Sequence, residues 1–139
     1  MRTVFARILL AGALLVALLV ALMPLVAESG EPREIRIVAR QMSFYIDGAG
    51  PGNPVITVEP GERVRLTLIN EDAGMDHDFA VPAWSLATPL LHGEARTSLV
   101  FDAPRQAGTT EYVCSRHLAM MRGTIEVVAA GGRPTASPR

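Results

Sequence analysis

The sequence predicts an all-β fold, an antiparallel Greek-key β-sandwich or small barrel that is preceded by an N-terminal hydrophobic helix. Short apolar segments recur along the chain, and clusters of Gly, Pro, Asn and Asp separate them. Beyond residue 27, no stretch has the apolar spacing of an amphipathic helix. The helix is predicted from residues 8–27, which are almost entirely apolar.

Residues 8–27 have two interpretations. Arg2 and Arg7 precede the run and a polar Glu28-Ser29-Gly30 stretch follows it, as in a secretory signal peptide. However, signal peptides have hydrophobic cores of roughly 7–15 residues, and this run reaches the roughly 20 that a membrane anchor needs. Leu25-Val26-Ala27 is an imperfect cleavage site, because Leu stands where a small residue is usual. Both interpretations place the remaining chain outside the cytoplasm, in the periplasm or at the outer face of the membrane, with a possible tether through residues 8–27.

The exported part is predicted to be one domain, residues 28–130, which is long enough for a hydrophobic core without disulfides. Residues 131–139, GGRPTASPR, are predicted to be a disordered tail. The formal net charge of −1 and the lack of a basic patch argue against a nucleic-acid partner, and we expect a monomer. A lone cysteine, Cys114, has no internal disulfide partner, so it is inert, intermolecular or a metal ligand.

The predicted strands follow one another at short intervals. They comprise residues 34–45, 55–58, 63–69, 78–81, 97–101, 109–114 and 123–128. Alternation is clearest in 63–69, where Val64, Leu66 and Leu68 share one face that we expect to be buried. Between the strands, we expect Trp84 to pack under a long loop and His92 to lie at the surface.

The segment YVCSRHLAMMRGTIEV, residues 112–127, gathers three kinds of metal-binding side chain on one predicted loop. Cys114 and His117 are three positions apart, and Met121 follows four later. His77, in the upstream segment NEDAGMDHDFAVP, is the candidate fourth ligand. A thiolate, two imidazoles and a thioether form the ligand set that selects copper, whereas zinc prefers another Cys, His or carboxylate to the Met.

The pattern Tyr-Val-Cys-x-x-His-x-x-x-Met-x-Gly-x-Ile-x-Val resembles the C-terminal copper loop of the cupredoxins, the family of plastocyanin and azurin. The upstream segments VITVEPGERVRLTLINEDAGMDHDFAV and FDAPRQAGTTEYVC resemble the parts of the family that carry the first histidine and lead into the loop. The resemblance covers about residues 34 to 129. It implies a small type 1 blue copper protein with one copper ion that cycles between Cu(I) and Cu(II).

The resemblance also implies the role of each ligand. His77 would be the N-terminal imidazole, Cys114 the thiolate, His117 the second imidazole and Met121 the axial thioether. Met120 remains an alternative for the axial role, although the Met-x-Gly spacing favours Met121. The interval between Cys114 and His117 is similar to that of plastocyanin, and the interval between His117 and Met121 is similar to that of azurin.

The chain departs from the family at Asp78, since an Asn usually follows the first histidine. We predict that Asp78 accepts a hydrogen bond from the backbone N–H or the hydroxyl of Ser115 and so ties the two ligand loops together. A carboxylate here would favour Cu(II) over Cu(I) and lower the reduction potential. Glu71, Asp72 and Asp76 would act in the same direction if they lay near the metal.

The resemblance implies a protein that shuttles single electrons between redox partners outside the cytoplasm. Electrons would leave through His117, inside an apolar patch formed by Leu118, Ala119 and Met120. Partners would dock transiently at this patch, and the flanking arginines would steer acidic ones. These arginines are Arg116 and Arg122.

Other functions fit the sequence less well. An extracytoplasmic copper-trafficking protein, which hands on the metal without electron transfer, is the main alternative, and a metal-free interaction module is another. We do not expect an enzyme, because multicopper oxidases and nitrite reductases need more histidine ligands than the three histidines here supply. The binuclear copper centre of terminal oxidases needs two cysteines on this loop.

Overall fold

The computed structural model describes residues 30–129. The predicted leader and the predicted tail both lie outside the described residues. The compact β-domain begins at Pro32. Within residues 30–129 no helix is long and apolar enough to span a bilayer.

The described residues form eleven strands, which confirms the all-β prediction. The strands are β1 Arg33–Arg40, β2 Ser43–Ile46, β3 Ile56–Val58, β4 Arg63–Asn70, β5 Asp76–His77, β6 Ala80–Val81, β7 Leu86–Ala87, β8 Leu91–His92, β9 Ala95–Asp102, β10 Gly108–Val113 and β11 Arg122–Val127. A short 3₁₀ helix, Pro82–Trp84, joins β6 to β7.

The strands form two main sheets, in the orders β2-β1-β4-β9 and β3-β11-β10-β6-β7, while β5 and β8 form a separate two-stranded ribbon. Most strand pairs are antiparallel, as the sequence predicted, but two pairs, β1 with β4 and β3 with β11, are parallel. Neither pair is consecutive in the chain. Between β1 and β4 the chain crosses to the other sheet to form β3, so it returns in the same direction.

The core lies between the two sheets. Val64, Leu66 and Leu68 are all buried, which confirms the alternation predicted for β4. Three aromatic rings pack together next to them: the centroids of Phe79 and Tyr112 are 4.9 Å apart in a stacked pair, and Phe44 meets both rings edge-on at 5.6 Å. Phe79 is two residues from His77 and Tyr112 is two residues from Cys114, so this close-packed cluster adjoins both ligand-bearing segments.

Residues 34–45 were predicted as one extended segment, but they form a hairpin. β1 and β2 are joined by a two-residue turn in which Gln41 and Met42 have φ angles of 49° and 59°. Such turns favour Asn-Gly or Asp-Gly, so Gln-Met gave no turn signal in the sequence. Met42 packs against the core, which compensates for its backbone conformation.

Of the strand predicted at residues 78–81, only Ala80–Val81 forms a strand, β6, and Asp78 and Phe79 link it to β5. β5 pairs with β8, whereas β6 pairs with β7 and β10, so the chain changes sheets between them. Phe79 marks this change: its N–H donates to Thr88 Oγ1 at 3.0 Å, and its C=O accepts from the Thr88 N–H at 2.9 Å. These two bonds replace the ladder that a continuous strand would have made.

The remaining expectations concern β9 and the surface. The strand predicted at residues 97–101 lies within β9, and its Leu99 and Phe101 are half-buried and pack on the core. Trp84 lies in the 3₁₀ helix with its ring 5.8 Å from that of Phe101. His92 is 75% exposed, which confirms its predicted place at the surface.

Candidate metal centre

The loop between β10 and β11 carries three of the four predicted ligands. Cys114 directly follows β10, and its N–H donates to the C=O of Met121 at 2.9 Å, which closes the loop. Inside the loop, the N–H of His117 donates to the C=O of Cys114 at 3.1 Å, and the N–H of Met121 donates to the C=O of His117 at 2.8 Å. These bonds hold the backbone of all three residues in a fixed arrangement.

His77 reaches the same point from a distant part of the chain. It ends β5, where it pairs with Leu91, and its side chain is completely buried. Its Nδ1 lies 3.8 Å from Cys114 Sγ, while Nδ1 of His117 lies 3.5 Å from the same sulfur. The three donor atoms all lie within 4.8 Å of one another. The structure therefore brings together the cysteine and both histidines that the sequence selected.

These separations fit a single metal ion. Bonds of about 2.3 Å to sulfur and about 2.0 Å to nitrogen at 120° would place the two donor atoms about 3.7 Å apart. The observed Sγ–Nδ1 distances of 3.5 and 3.8 Å bracket that value. Because the donors are one thiol sulfur and two imidazole nitrogens, with a buried thioether on the same loop, the residues fit a copper ion better than zinc or a hard cation.

The two candidate axial methionines differ in burial. Met121 is completely buried in the core, whereas Met120 is 51% exposed. Gly123 explains the Met-x-Gly spacing: it pairs with Tyr112 across the β10–β11 ladder, and a Cβ on it would overlap the tyrosine ring. Burial thus favours Met121 over Met120, and its role as the axial ligand stays a prediction.

The environment of the Cys114 sulfur has opposing effects on its pKa. Burial raises the pKa of the thiol most, the nearby backbone N–H groups of Asp78 and Arg116 lower it, the Asp78 carboxylate raises it, and the net shift is upward. One of these N–H groups belongs to each ligand-bearing segment. Since the thiolate is the metal-binding form, metal binding must displace the thiol proton.

The predicted tie between the two ligand segments is present. Oδ1 of Asp78 accepts a hydrogen bond from the Ser115 N–H at 2.6 Å, and Asp78 is only 7% exposed. The predicted acceptor and the predicted backbone donor are both confirmed. The effect of this carboxylate on the reduction potential remains a prediction.

The neighbouring acidic residues occupy different places. Glu71 faces Arg40 at the surface, with 3.4 Å between carboxylate and guanidinium, and Asp76 Oδ2 lies 3.0 Å from Nδ1 of His92. Asp72, in contrast, contacts the buried His77 ring, with 3.1 Å between Oδ2 and Nε2. In the sequence these carboxylates cannot be told apart, because only the folding of the β4–β5 loop determines which of them contacts His77.

The loop between β10 and β11 presents exposed apolar side chains at the surface. Leu118 and Met120 are 54% and 51% exposed, and His117, which precedes them on the same loop, is half-buried, as the predicted patch required. The two flanking arginines, Arg116 and Arg122, are both exposed. Arg122 forms an ion pair with Glu111 at 3.1 Å.

No family model and no curated protein matches the chain. Solved structures do match. Auracyanin A, a "blue" copper protein from Chloroflexus aurantiacus, is 22% identical with a TM-score of 0.55, over 70% of this chain and 99% of that chain. Rusticyanin from Thiobacillus ferrooxidans is 25% identical with a TM-score of 0.50, over 72% of this chain and 79% of the other. A chain of a heme-copper terminal oxidase dimer is 19% identical with a TM-score of 0.57, over 73% of this chain and 68% of that chain.

The structural neighbours establish the class of the fold. Residues 30–129 have a cupredoxin fold, and their His-Cys-His cluster with the buried Met121 fits a type 1 copper site. The resemblance inferred from the sequence is therefore confirmed.

Proposed function

We propose that this protein is a mononuclear type 1 copper protein that carries single electrons between redox partners outside the cytoplasm. The observation that carries the proposal is the convergence of Cys114 Sγ with Nδ1 of His77 and of His117, at 3.8 and 3.5 Å. A bound copper ion would supply a one-electron Cu(II)/Cu(I) couple at this point. The likeness of the fold to auracyanin A and rusticyanin supports the same conclusion.

The protein's part in this function is to hold the ligands still. The loop is closed by the bond from Cys114 N–H to Met121 C=O, and the Asp78–Ser115 bond joins it to the His77 segment. The stacked Phe79 and Tyr112 rings, each two residues from a ligand, join the two segments in the core. Ligands that barely move between oxidation states keep the reorganisation energy small, which favours rapid electron transfer.

His117 is the proposed exit for electrons, because its ring is half-buried whereas that of His77 is completely enclosed. The exposed Leu118 and Met120 follow it on the same loop and suit a small, transient contact. With Arg122 already paired to Glu111, we propose that Arg116 is the arginine that steers an acidic redox partner. The protein would act as a monomer.

The location outside the cytoplasm rests on residues 8–27, as either a cleaved signal or a membrane tether. We propose residues 28–130 as the copper-binding domain and no enzymatic activity. The third histidine, His92, lies at the surface against Asp76 and away from the copper cluster, so it would not serve as an additional copper ligand there.

Copper loading of the purified full chain tests this function. On addition of Cu(II) we expect an intense thiolate-to-copper absorption band in the visible range and a reversible one-electron couple. Cys114→Ser should abolish the band, and Met121→Leu should shift it while Met120→Leu does not. A colourless protein that binds only Cu(I) would instead indicate copper trafficking, and a protein that takes up no copper would indicate a structural module.

A further inference from the structure

Asp72 lies on the far side of the His77 ring from the sulfur. Nδ1 of His77 faces Cys114 Sγ at 3.8 Å, and Nε2 lies 3.1 Å from Asp72 Oδ2. The ring itself is completely buried, while the carboxylate is 21% exposed. When Nδ1 binds a metal, the ring proton resides on Nε2, and this N–H then donates to the carboxylate.

The Asp72 carboxylate is itself held in place. Oδ2 also accepts a hydrogen bond from the backbone N–H of Gln41, at 2.9 Å, in the turn between β1 and β2. The Asp72 N–H donates to Oδ1 of the buried Asn70 at 2.9 Å, and Nδ2 of Asn70 donates to the C=O of Met75 at 2.8 Å. The single oxygen that meets the ring is therefore fixed from both the hairpin turn and its own loop.

We propose that Asp72 is a positioning residue that orients His77 and lowers the reduction potential of the copper site. This inference rests on the proposed function. A carboxylate acceptor on the remote N–H of a ligand imidazole fixes the ring and makes the other nitrogen a stronger donor. A stronger donor and a nearby negative charge both favour Cu(II) over Cu(I).

Asp72 differs in this respect from the other acidic residues near the site. Glu71 is exposed and pairs with Arg40, and Asp76 pairs with the exposed His92. Asp78 accepts from a backbone N–H and not from a ligand ring. Among residues 30–129, Asp72 is thus the carboxylate that contacts a ligand imidazole.

The test compares reduction potentials of copper-loaded full-length variants. Asp72→Asn retains a carbonyl oxygen that can accept from both Gln41 and His77, so it removes the charge and keeps the geometry. We expect its visible band to persist and its Cu(II)-to-Cu(I) affinity ratio to fall at least tenfold, which corresponds to a potential rise of about 59 mV. Asp72→Ala also removes the acceptor, and it should additionally change the Cu(II) EPR hyperfine splitting and speed copper loss to a chelator.

Glu71→Gln is the matched control, because it removes the adjacent charge on the same loop without touching a ligand. Its potential should stay close to that of the unchanged protein. If Asp72→Asn behaves like Glu71→Gln while the unchanged protein is blue and redox-active, the role of Asp72 is refuted and the proposed function stands. If the unchanged protein forms no blue band, the proposed function fails, and this inference fails with it.

Discussion

The contact between Gly123 and Tyr112 limits how closely β10 and β11 can pack next to the metal centre. Gly123 lies opposite Tyr112, and the tyrosine ring occupies the space that a side chain at position 123 would need. Tyr112 cannot move aside easily, because its ring stacks on Phe79 and its hydroxyl donates to the C=O of Pro54 at 2.6 Å. Burial raises the pKa of Tyr112, so the hydroxyl keeps the proton that it donates.

Gly123→Ala is therefore expected to destabilise the protein by overpacking, by about 1–3 kcal/mol of unfolding free energy. Gly108→Ala is the control: it lies at the other end of the same strand pair, and an added Cβ there meets nothing within 4 Å. Its effect should stay within about 0.5 kcal/mol. Urea unfolding of both variants measures the difference, and equal midpoints would show that the Tyr112 ring yields without cost.

At the scale of elements, the site depends on a tie between two segments that belong to different parts of the chain. Asp78 follows β5, Ser115 follows β10, and their hydrogen bond is 2.6 Å long. The Asp78 side chain thus ties the His77 segment to the C-terminal loop.

Asp78→Asn preserves an oxygen acceptor for Ser115 and removes the negative charge. We expect the copper site to keep its visible band while the Cu(II)-to-Cu(I) affinity ratio falls about tenfold, a potential rise of about 59 mV. Asp78→Ala loses the tie as well, so it should also release copper faster to a chelator. An Asp78→Asn protein with unchanged potential and unchanged copper affinity would show that this carboxylate has no electrostatic role.

The strands and turns also show which features of the fold and site could be predicted from the sequence. Alternation predicted β4 and the spacing of Cys114, His117 and Met121 predicted the ligand loop, because both signals are local. The turn at residues 41–42 escaped prediction because it lacks Gly and Asn, and its strain is offset by the packing of Met42. Asp72 could not be separated from its acidic neighbours, since its contact with His77 arises only when the β4–β5 loop folds back.

At the scale of the whole molecule, β1 connects the copper site to the opposite end of the sandwich. Its last residues lead into the Gln41 turn that holds Asp72. Its first residue, Arg33, donates to Glu62 and to the C=O of Thr57 at 2.8 Å, and so joins β1 to β3 in the other sheet. The C-terminal end of β1 therefore leads to the turn that holds Asp72, whereas its N-terminal end makes contacts that stabilise the fold.

The Arg33–Glu62 pair gives the stability of the molecule a defined pH dependence. The hydrogen bond from Arg33 holds the pKa of Glu62 below its usual value of 4.5. A carboxyl group whose pKa is lower in the folded state contributes stability above its unfolded pKa and loses it as the pH falls through the folded value. Because the Arg33 side chain is 47% exposed, this contribution should be below about 1 kcal/mol.

We expect Glu62→Gln to lower the unfolding free energy at pH 7, and we expect the difference from the unchanged protein to shrink as the pH falls below 4.5. Denaturant unfolding at a series of pH values measures this difference. Asp102→Asn is the control, since it removes an exposed ion pair with Arg63 whose atoms are 3.5 Å apart. A Glu62→Gln deficit that stays constant down to pH 3 would contradict the electrostatic origin of this stability. A copper-loaded Glu62→Gln protein should keep its visible band at pH 7, because the substitution lies at the opposite end of β1 from the turn that supports the site.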